Sequence, residues 1–128
     1  MRKIEFTIPI KINGELSLNS IYKGLHWTIR RKQSQRIHEI VKLSMESQSI
    51  PKRPFEKPVN INFKWHSKLD LDNHGYIAKL IIDSLKGYLI KDDTEKYINK
   101  ITHEYQKDKG VRVKIEEIET MNNYEWSV

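Results

Sequence analysis

Five of the six aspartates in this chain fall between residues 70 and 93, in DLDNHGYIAKLIIDSLKGYLIKDD: Asp70, Asp72, Asp83, Asp92 and Asp93. The setting is basic, with 23 Lys and Arg against 17 Asp and Glu. Two carboxylates two residues apart repel each other unless a cation lies between them. If an extended strand runs through Asp70 and Asp72, both side chains leave the same face. Asp92 and Asp93 come after the next helical segment, where a short loop could return the chain to the same end of the sheet. Three or four carboxylates gathered in this way suit a hard divalent cation, and Mg²⁺ keeps some of its waters for a substrate phosphate.

The same stretch imitates a calcium loop, with acids at its first and third positions and Gly75 at its sixth. Its twelfth position is Ile81, where such a loop needs a bidentate Glu, and its fifth is His74, so calcium binding is not expected. A structural use is the alternative for each acid taken singly. Asp72 or Asn73 could cap the following helix, and Asp92 with Asp93 could shape a turn. Lys79 and Asp83, four residues apart, could form a surface ion pair worth a few tenths of a kcal/mol.

These residues need elements to hold them. Ile4, Phe6, Ile8, Ile10 and Ile12 alternate with polar residues as in a half-buried strand, and Pro9 marks a sheet edge. Residues 13 to 27 are an Asn-, Ser- and Gly-containing loop. A helix is predicted from about Thr28 to Ser47, buried along Ile37, Ile40, Val41 and Ser44. Its first turns carry Arg30, Arg31, Lys32 and Arg36, cations placed against the helix dipole. They read either as a solvated face or as a phosphate-binding one. Residues 50 to 58 form a proline-punctuated connector within one domain. Val59, Ile61, Phe63 and Trp65 define a second strand, with both aromatics expected in the core. A helix over about 73–86 buries Ile77, Leu80, Ile81 and Leu85 and ends at Gly87. Two strands follow, through Tyr97, Ile101 and Tyr105 and then Val111, Val113 and Ile115, separated by a turn at Gly110. The order β-α-β-α-β-β predicts an α+β fold, a mixed sheet of about four strands with two main helices, over residues 1–119. Residues 120–128 are expected to fray.

DLDN, then a lysine, a helical IIDSLKG, a hydrophobic turn and DD together resemble the RusA family of Holliday junction resolvases. The flanks are similar too: an N-terminal strand, an Asn-containing loop (LSLNSIY), a basic helix and two closing strands, so that the resemblance covers about residues 4 to 118. It implies an Mg²⁺ site (Mn²⁺ substituting) on Asp70, Asp72 and Asp93, with Asp92 a further candidate that supports the loop or outer shell. It also implies a catalytic lysine at Lys79, positioned by DSLKG. One departure stands out. His74, Gly75 and Tyr76 make the gap between Asn73 and this lysine three residues longer than in the family's best-known member. Either Lys79 keeps its face and moves about 4.5 Å along the helix axis, or a turn at Gly75 delays the helix and leaves the lysine in place.

The activity this implies is metal-dependent hydrolysis of phosphodiesters in branched DNA, by paired nicks across a four-way junction. Arg30, Arg31, Lys32, Arg36, Lys68 and Asn19 would hold the DNA backbone without reading sequence. The near two-fold symmetry of a junction calls for a homodimer. The competing reading from another class is a branched-DNA-binding accessory protein that keeps the fold without cutting. His26 reads as a structural histidine and not as a metal ligand.

The bulk properties agree with a single domain of 128 residues, 38% hydrophobic and 31% charged, with a formal net charge of +6. The apolar runs are too short to span a bilayer, and the N-terminus lacks the apolar core of a signal peptide, so a cytoplasmic protein is expected. No cysteine is present, which excludes disulfides and thiolate metal sites. No small-molecule cofactor is expected.

Overall fold

The computed structural model describes residues 1–12 and 27–119. The elements run β1 (Lys3–Ile8), α1 (Trp27–Ser47), β2 (Val59–Trp65), a 3₁₀ turn (Leu71–His74), α2 (Gly75–Leu85), β3 (Ile98–Tyr105) and β4 (Val111–Glu117). This is the α+β arrangement that the alternation of periods predicts. Among the described residues no helix is long and apolar enough to cross a membrane.

The four strands form one sheet in the order β1-β4-β2-β3. β4 runs antiparallel to both of its neighbours, from Lys3↔Glu116 to Ile8↔Val111 on one side and from Val59↔Glu117 to Trp65↔Val111 on the other. β3 pairs with β2 in parallel, Val59↔Ile98 to Trp65↔Tyr105, with a register shift near Asn60. A parallel pair cannot be joined by a hairpin, so α2 is the crossover between β2 and β3. The return from β3 to β4 must then pass over the end of β2. Residues 106–110 do so, held by Gln106 N donating to Trp65 O at 2.9 Å and Gln106 Nε2 donating to Gly110 O at 3.2 Å. Gly110 has φ +87°, and a Cβ there would lie 2.8 Å from Ile8 O, so this crossing needs glycine.

Alternation explains the packing. Val59, Ile61, Phe63 and Trp65 are all fully buried, as are Val111, Val113 and Ile115. They meet Ile37, Val41 and Met45 of α1 and Ile77, Ile81 and Leu85 of α2 in one core. Each such aliphatic side chain stabilises the fold by roughly 1.5–3 kcal/mol relative to exposure. Both helices therefore cover one face of the sheet, while the opposite face carries Asn60, Asn62, Lys64, Lys114 and Glu116. The connector 50–58 belongs to the same domain: Phe55 is buried, its N–H donates to Leu89 O at 2.8 Å, and the Arg2 guanidinium lies 4.1 Å from its ring centre.

Two boundaries differ by more than one residue from the expected ones. β1 stops at Ile8 instead of continuing to Ile12, because Pro9 has no N–H to offer the ladder and Ile10 N turns back to Ile8 O at 2.9 Å. β1 is nonetheless an edge strand, as Pro9 implies. The second α-helix begins at Gly75, not Asn73, because the 3₁₀ turn takes up the preceding residues. Gly87, at φ +78°, lies just past the end of α2 as the pattern requires.

Candidate functional site

After Trp65 the chain leaves the sheet and turns through residues 66–74 before entering α2. Asp70 sits at the N-cap position of the 3₁₀ turn (φ −61°, ψ 149°), yet its side chain makes no capping hydrogen bond. Asp72 lies in the first turn, and both acids are exposed. Among the described residues neither carboxylate has a hydrogen-bonding or ionic partner. Other groups hold the turn: Asn73 N donates to Asp70 O at 3.0 Å, Leu69 N to Ser67 Oγ at 3.0 Å, and the Tyr105 hydroxyl to Leu69 O at 2.6 Å. The two carboxylates are therefore not used to build the turn that carries them.

His74 anchors that turn from below. It is fully buried, its ring stacks on Trp65 with centroids 4.6 Å apart, and its Nδ1 lies 3.2 Å from Leu71 O. Its Nε2 is buried without a partner among the described residues. Trp65 in turn donates from Nε1 to His103 Nδ1 at 3.0 Å. Burial, helped by His74, pushes the His103 imidazole below its ordinary value. The HGY segment is thus a plug and a helix start: His74 fills the core, and Gly75 is an ordinary helical residue (φ −58°, ψ −37°). Trp65 and Phe63 are core residues, both with no exposed surface.

Tyr76 donates to Gln33 Oε1 at 3.0 Å, which brings the first turns of α1 beside the start of α2. Burial raises the Tyr76 pKa, and the nearby Arg30 opposes that rise. Arg30, Arg31, Lys32 and Arg36 are all exposed at or near this end of α1, and Lys68 is exposed on the approach to Asp70. Arg31, Lys32, Arg36 and Lys68 form no ion pair with described residues. Asn19, with Tyr22 and His26, lies outside the described residues.

The outer face of α2 carries a chain of ion pairs. Lys79 Nζ is 3.1 Å from Asp83, Lys86 Nζ is 3.4 Å from Asp83, and the same Lys86 Nζ is 3.1 Å from Asp93. The Lys86 hydrogen bond holds the Asp93 carboxyl below its ordinary value and, reciprocally, raises the Lys86 ammonium. Asp92 accepts a hydrogen bond from Asp93 N at 2.8 Å. Lys86 is the contributor that sequence reasoning missed; its spacing from Asp83 was the available signal.

One expectation fails within a single chain. Asp92 and Asp93 do not return to the end of the sheet that carries Asp70 and Asp72. β2 and β3 are parallel, so α2 must carry the chain from one end of the sheet to the other. The 11 residues of α2 alone span about 16 Å at 1.5 Å each. In agreement, no group of three or more His, Asp or Glu among the described residues is placed to hold a metal ion. The structure therefore has a free acidic pair, Asp70 and Asp72, at one end of α2 and the lysine-bound Asp93 at the other. No protein-family model matches the chain, and no characterised protein matches it in sequence.

Proposed function

We propose that this protein is a metal-dependent, structure-selective DNA endonuclease of the RusA type, working as a pair of copies on four-way junctions. The observation that carries this reading is the state of Asp70 and Asp72. Two exposed carboxylates, two residues apart, are carried on a turn that other groups hold in place, and neither has a partner among the described residues. Like charges so placed cost stability unless a cation uses them, and their oxygens are hard ligands of the kind Mg²⁺ takes. Arg30, Arg31, Lys32, Arg36 and Lys68 surround this end of the molecule with cations suited to phosphates.

Asp93 is too far from this pair to share a metal with it inside one chain, so the third ligand comes from a second copy. In this arrangement Asp70 and Asp72 of one copy and Asp93 of the other hold Mg²⁺. The bound ion supplies Lewis acidity toward the phosphodiester and a water ready for in-line attack. Asp93 lies 3.1 Å from Lys86 Nζ, and its carboxylate oxygens are of the hard kind that Mg²⁺ takes. Lys79 is exposed, and its pair with Asp83 contributes only a few tenths of a kcal/mol. It can turn from Asp83 to a phosphate at little cost and stabilise charge on the leaving oxygen.

The separation of the acids also favours a second reading, a branched-DNA-binding accessory protein that never assembles a complete site. An end-labelled four-way junction distinguishes the two. Symmetric nicks that need Mg²⁺ or Mn²⁺, stop in chelator, and vanish in Asp70→Asn and Asp93→Asn support the nuclease. Junction binding with no cutting in either metal supports the accessory protein.

A further inference from the structure

The end of the sheet beside Asp70 carries a groove that the acidic motif does not explain. One part, about 850 Å³, is lined by Lys11, Ile12, His66, Lys68, Tyr105 and Lys107, with Leu69 among its apolar walls. A second part, about 430 Å³, shares Lys11 and His66 and continues past Lys109 to Gly110. Together they follow the ends of all four strands, a distance of about 14 Å at the usual strand spacing. Among the described residues, every ionisable side chain lining either part, apart from the Tyr105 phenol, is a lysine or a histidine. Lys11, Lys68, Lys107 and Lys109 are exposed and have no acidic partner among the described residues. One nearby acid, Asp108, faces Arg112 at 3.9 Å.

Four ammonium groups without an ion-pair partner among the described residues repel each other along one concave track. A polyanion relieves that repulsion. At about 3.4 Å of axis per phosphate on each strand, 14 Å accommodates about four phosphates. The groove also has an aromatic wall. Tyr105 is 52% exposed, and its hydroxyl bond to Leu69 O pins the ring at the mouth, next to the turn bearing Asp70. Phe63 and Trp65, on the adjoining strand, are fully buried.

From this we infer that the groove is a nucleic-acid strand site. Lys11, Lys68, Lys107 and Lys109 take successive phosphates, and the Tyr105 ring carries an unpaired base at the branch point. The inference rests on the nuclease reading for its substrate, but it concerns binding alone and is tested without metal.

The test is junction affinity in chelator across a series of salt concentrations. The variants are K11Q/K107Q/K109Q and a control with equal charge loss on the sheet face opposite the helices, K64Q/K100Q/K114Q. The groove variant is expected to lower the steepness of log affinity against log salt by about 2–3, near 0.7–0.9 per lost contact; the control keeps the native slope. Tyr105→Leu is expected to weaken binding about 5- to 150-fold, the range for one stacked base, while Tyr105→Phe, which loses only the hydroxyl bond, stays near native.

A groove variant with the native slope overturns the inference and leaves the nuclease reading intact. If that unchanged slope comes with a shifted monomer–dimer equilibrium, the groove belongs to the second copy instead. Equal losses in groove variant and control overturn it in favour of general charge attraction. Native protein that binds no junction in chelator overturns both readings. Tight groove-dependent binding without cutting in Mg²⁺ keeps the inference and discards the nuclease.

Discussion

The placement of Asp93 allows a complementation experiment with a definite yield. A single Mg²⁺ binds its oxygens at 2.0–2.1 Å, so two ligand atoms on one ion lie at most about 4 Å apart. Even with two metals about 4 Å apart, the outer ligands lie within about 8 Å. α2 alone separates the DLDN turn from the DD turn by about 16 Å, and two aspartate side chains are too short to close that gap. If two copies share each site, Asp70→Asn spoils the site to which a protomer gives its acidic pair. Asp93→Asn spoils the site on the other copy. Each homodimer is dead at both sites. A mixed dimer has one site with both changes and one with neither. Random pairing of an equal mixture makes half the dimers mixed, so about a quarter of all sites are intact. The variants are unfolded together in urea, refolded, and given a supercoiled plasmid carrying an extruded cruciform. Native protein is expected to linearise it by paired nicks, each variant alone to leave it intact, and the mixture to produce nicked circles at about a quarter of the native number of first cuts. A mixture as inert as its parts, with mixed dimers demonstrated by sedimentation of a tagged variant, refutes the shared site.

Other consequences concern the scaffold. Without metal, Asp70→Asn should leave stability unchanged or raise it by up to about 0.5 kcal/mol, since it removes a like-charge neighbour and no bond. With Mg²⁺ at about 100 times its dissociation constant, the native protein should gain about 2.7 kcal/mol that the variant does not, measured by urea unfolding with and without the ion. His103 is held below its ordinary value near 6.5 by burial, and its Nδ1 accepts from Trp65, so the unfolded chain takes up the proton first. This contribution is fully present above about pH 6.5 and declines as pH falls toward the folded pKa. His103→Asn, which keeps an acceptor for Trp65 but cannot titrate, should flatten unfolding free energy between pH 7.5 and about 5; an unchanged slope counts against it. Gly87→Ala should cost about 1–2 kcal/mol, the left-handed backbone penalty alone, because nothing lies within 4 Å of its added carbon. Gly110→Ala should cost at least about 1 kcal/mol more, because its added carbon meets the Ile8 carbonyl at 2.8 Å; equal losses in chemical denaturation would contradict this.

Periodicity made the elements legible. Val59, Ile61, Phe63 and Trp65 are buried because a period of two puts them on one face, and Ile77, Ile81 and Leu85 because a helix does the same at its own period. Periodicity does not say which strand lies beside which. The return of Asp92 and Asp93 to the DLDN end assumed a loop, whereas a strand, a helix and a strand in succession favour a parallel crossover that ends at the far side. The residues of the site were therefore readable one by one, but their separation was not. His74 was opaque for another reason. Its position in an apparent calcium loop concealed a packing role that depends on Trp65, nine residues earlier and in a different element. The groove lysines were harder still, since Lys11, Lys68 and Lys107 come from three connections that meet only when the sheet is formed.

Oligomeric state now decides between cutting and mere binding. A monomer holds Asp70 and Asp72 at one end of α2 and Asp93 at the other, so it brings at most two of these three carboxylates to one metal. The surface available for pairing includes the edge of β3, where Ile101 is 41% exposed on a strand that has a neighbour on one side only among the described residues. Sedimentation across a concentration series, run beside nicking rates on the same samples, tests the dependence directly. For a shared site the specific activity rises with protein concentration and saturates where the dimer does, and the two midpoints coincide. Activity per chain that stays constant down through the monomer range would mean that one chain cuts alone. In that case Asp93 is not a ligand, and Asp70 with Asp72 must suffice. A dimer that binds junctions but does not cut at any concentration in Mg²⁺ or Mn²⁺ would instead assign the free aspartates no catalytic use and leave the accessory reading standing.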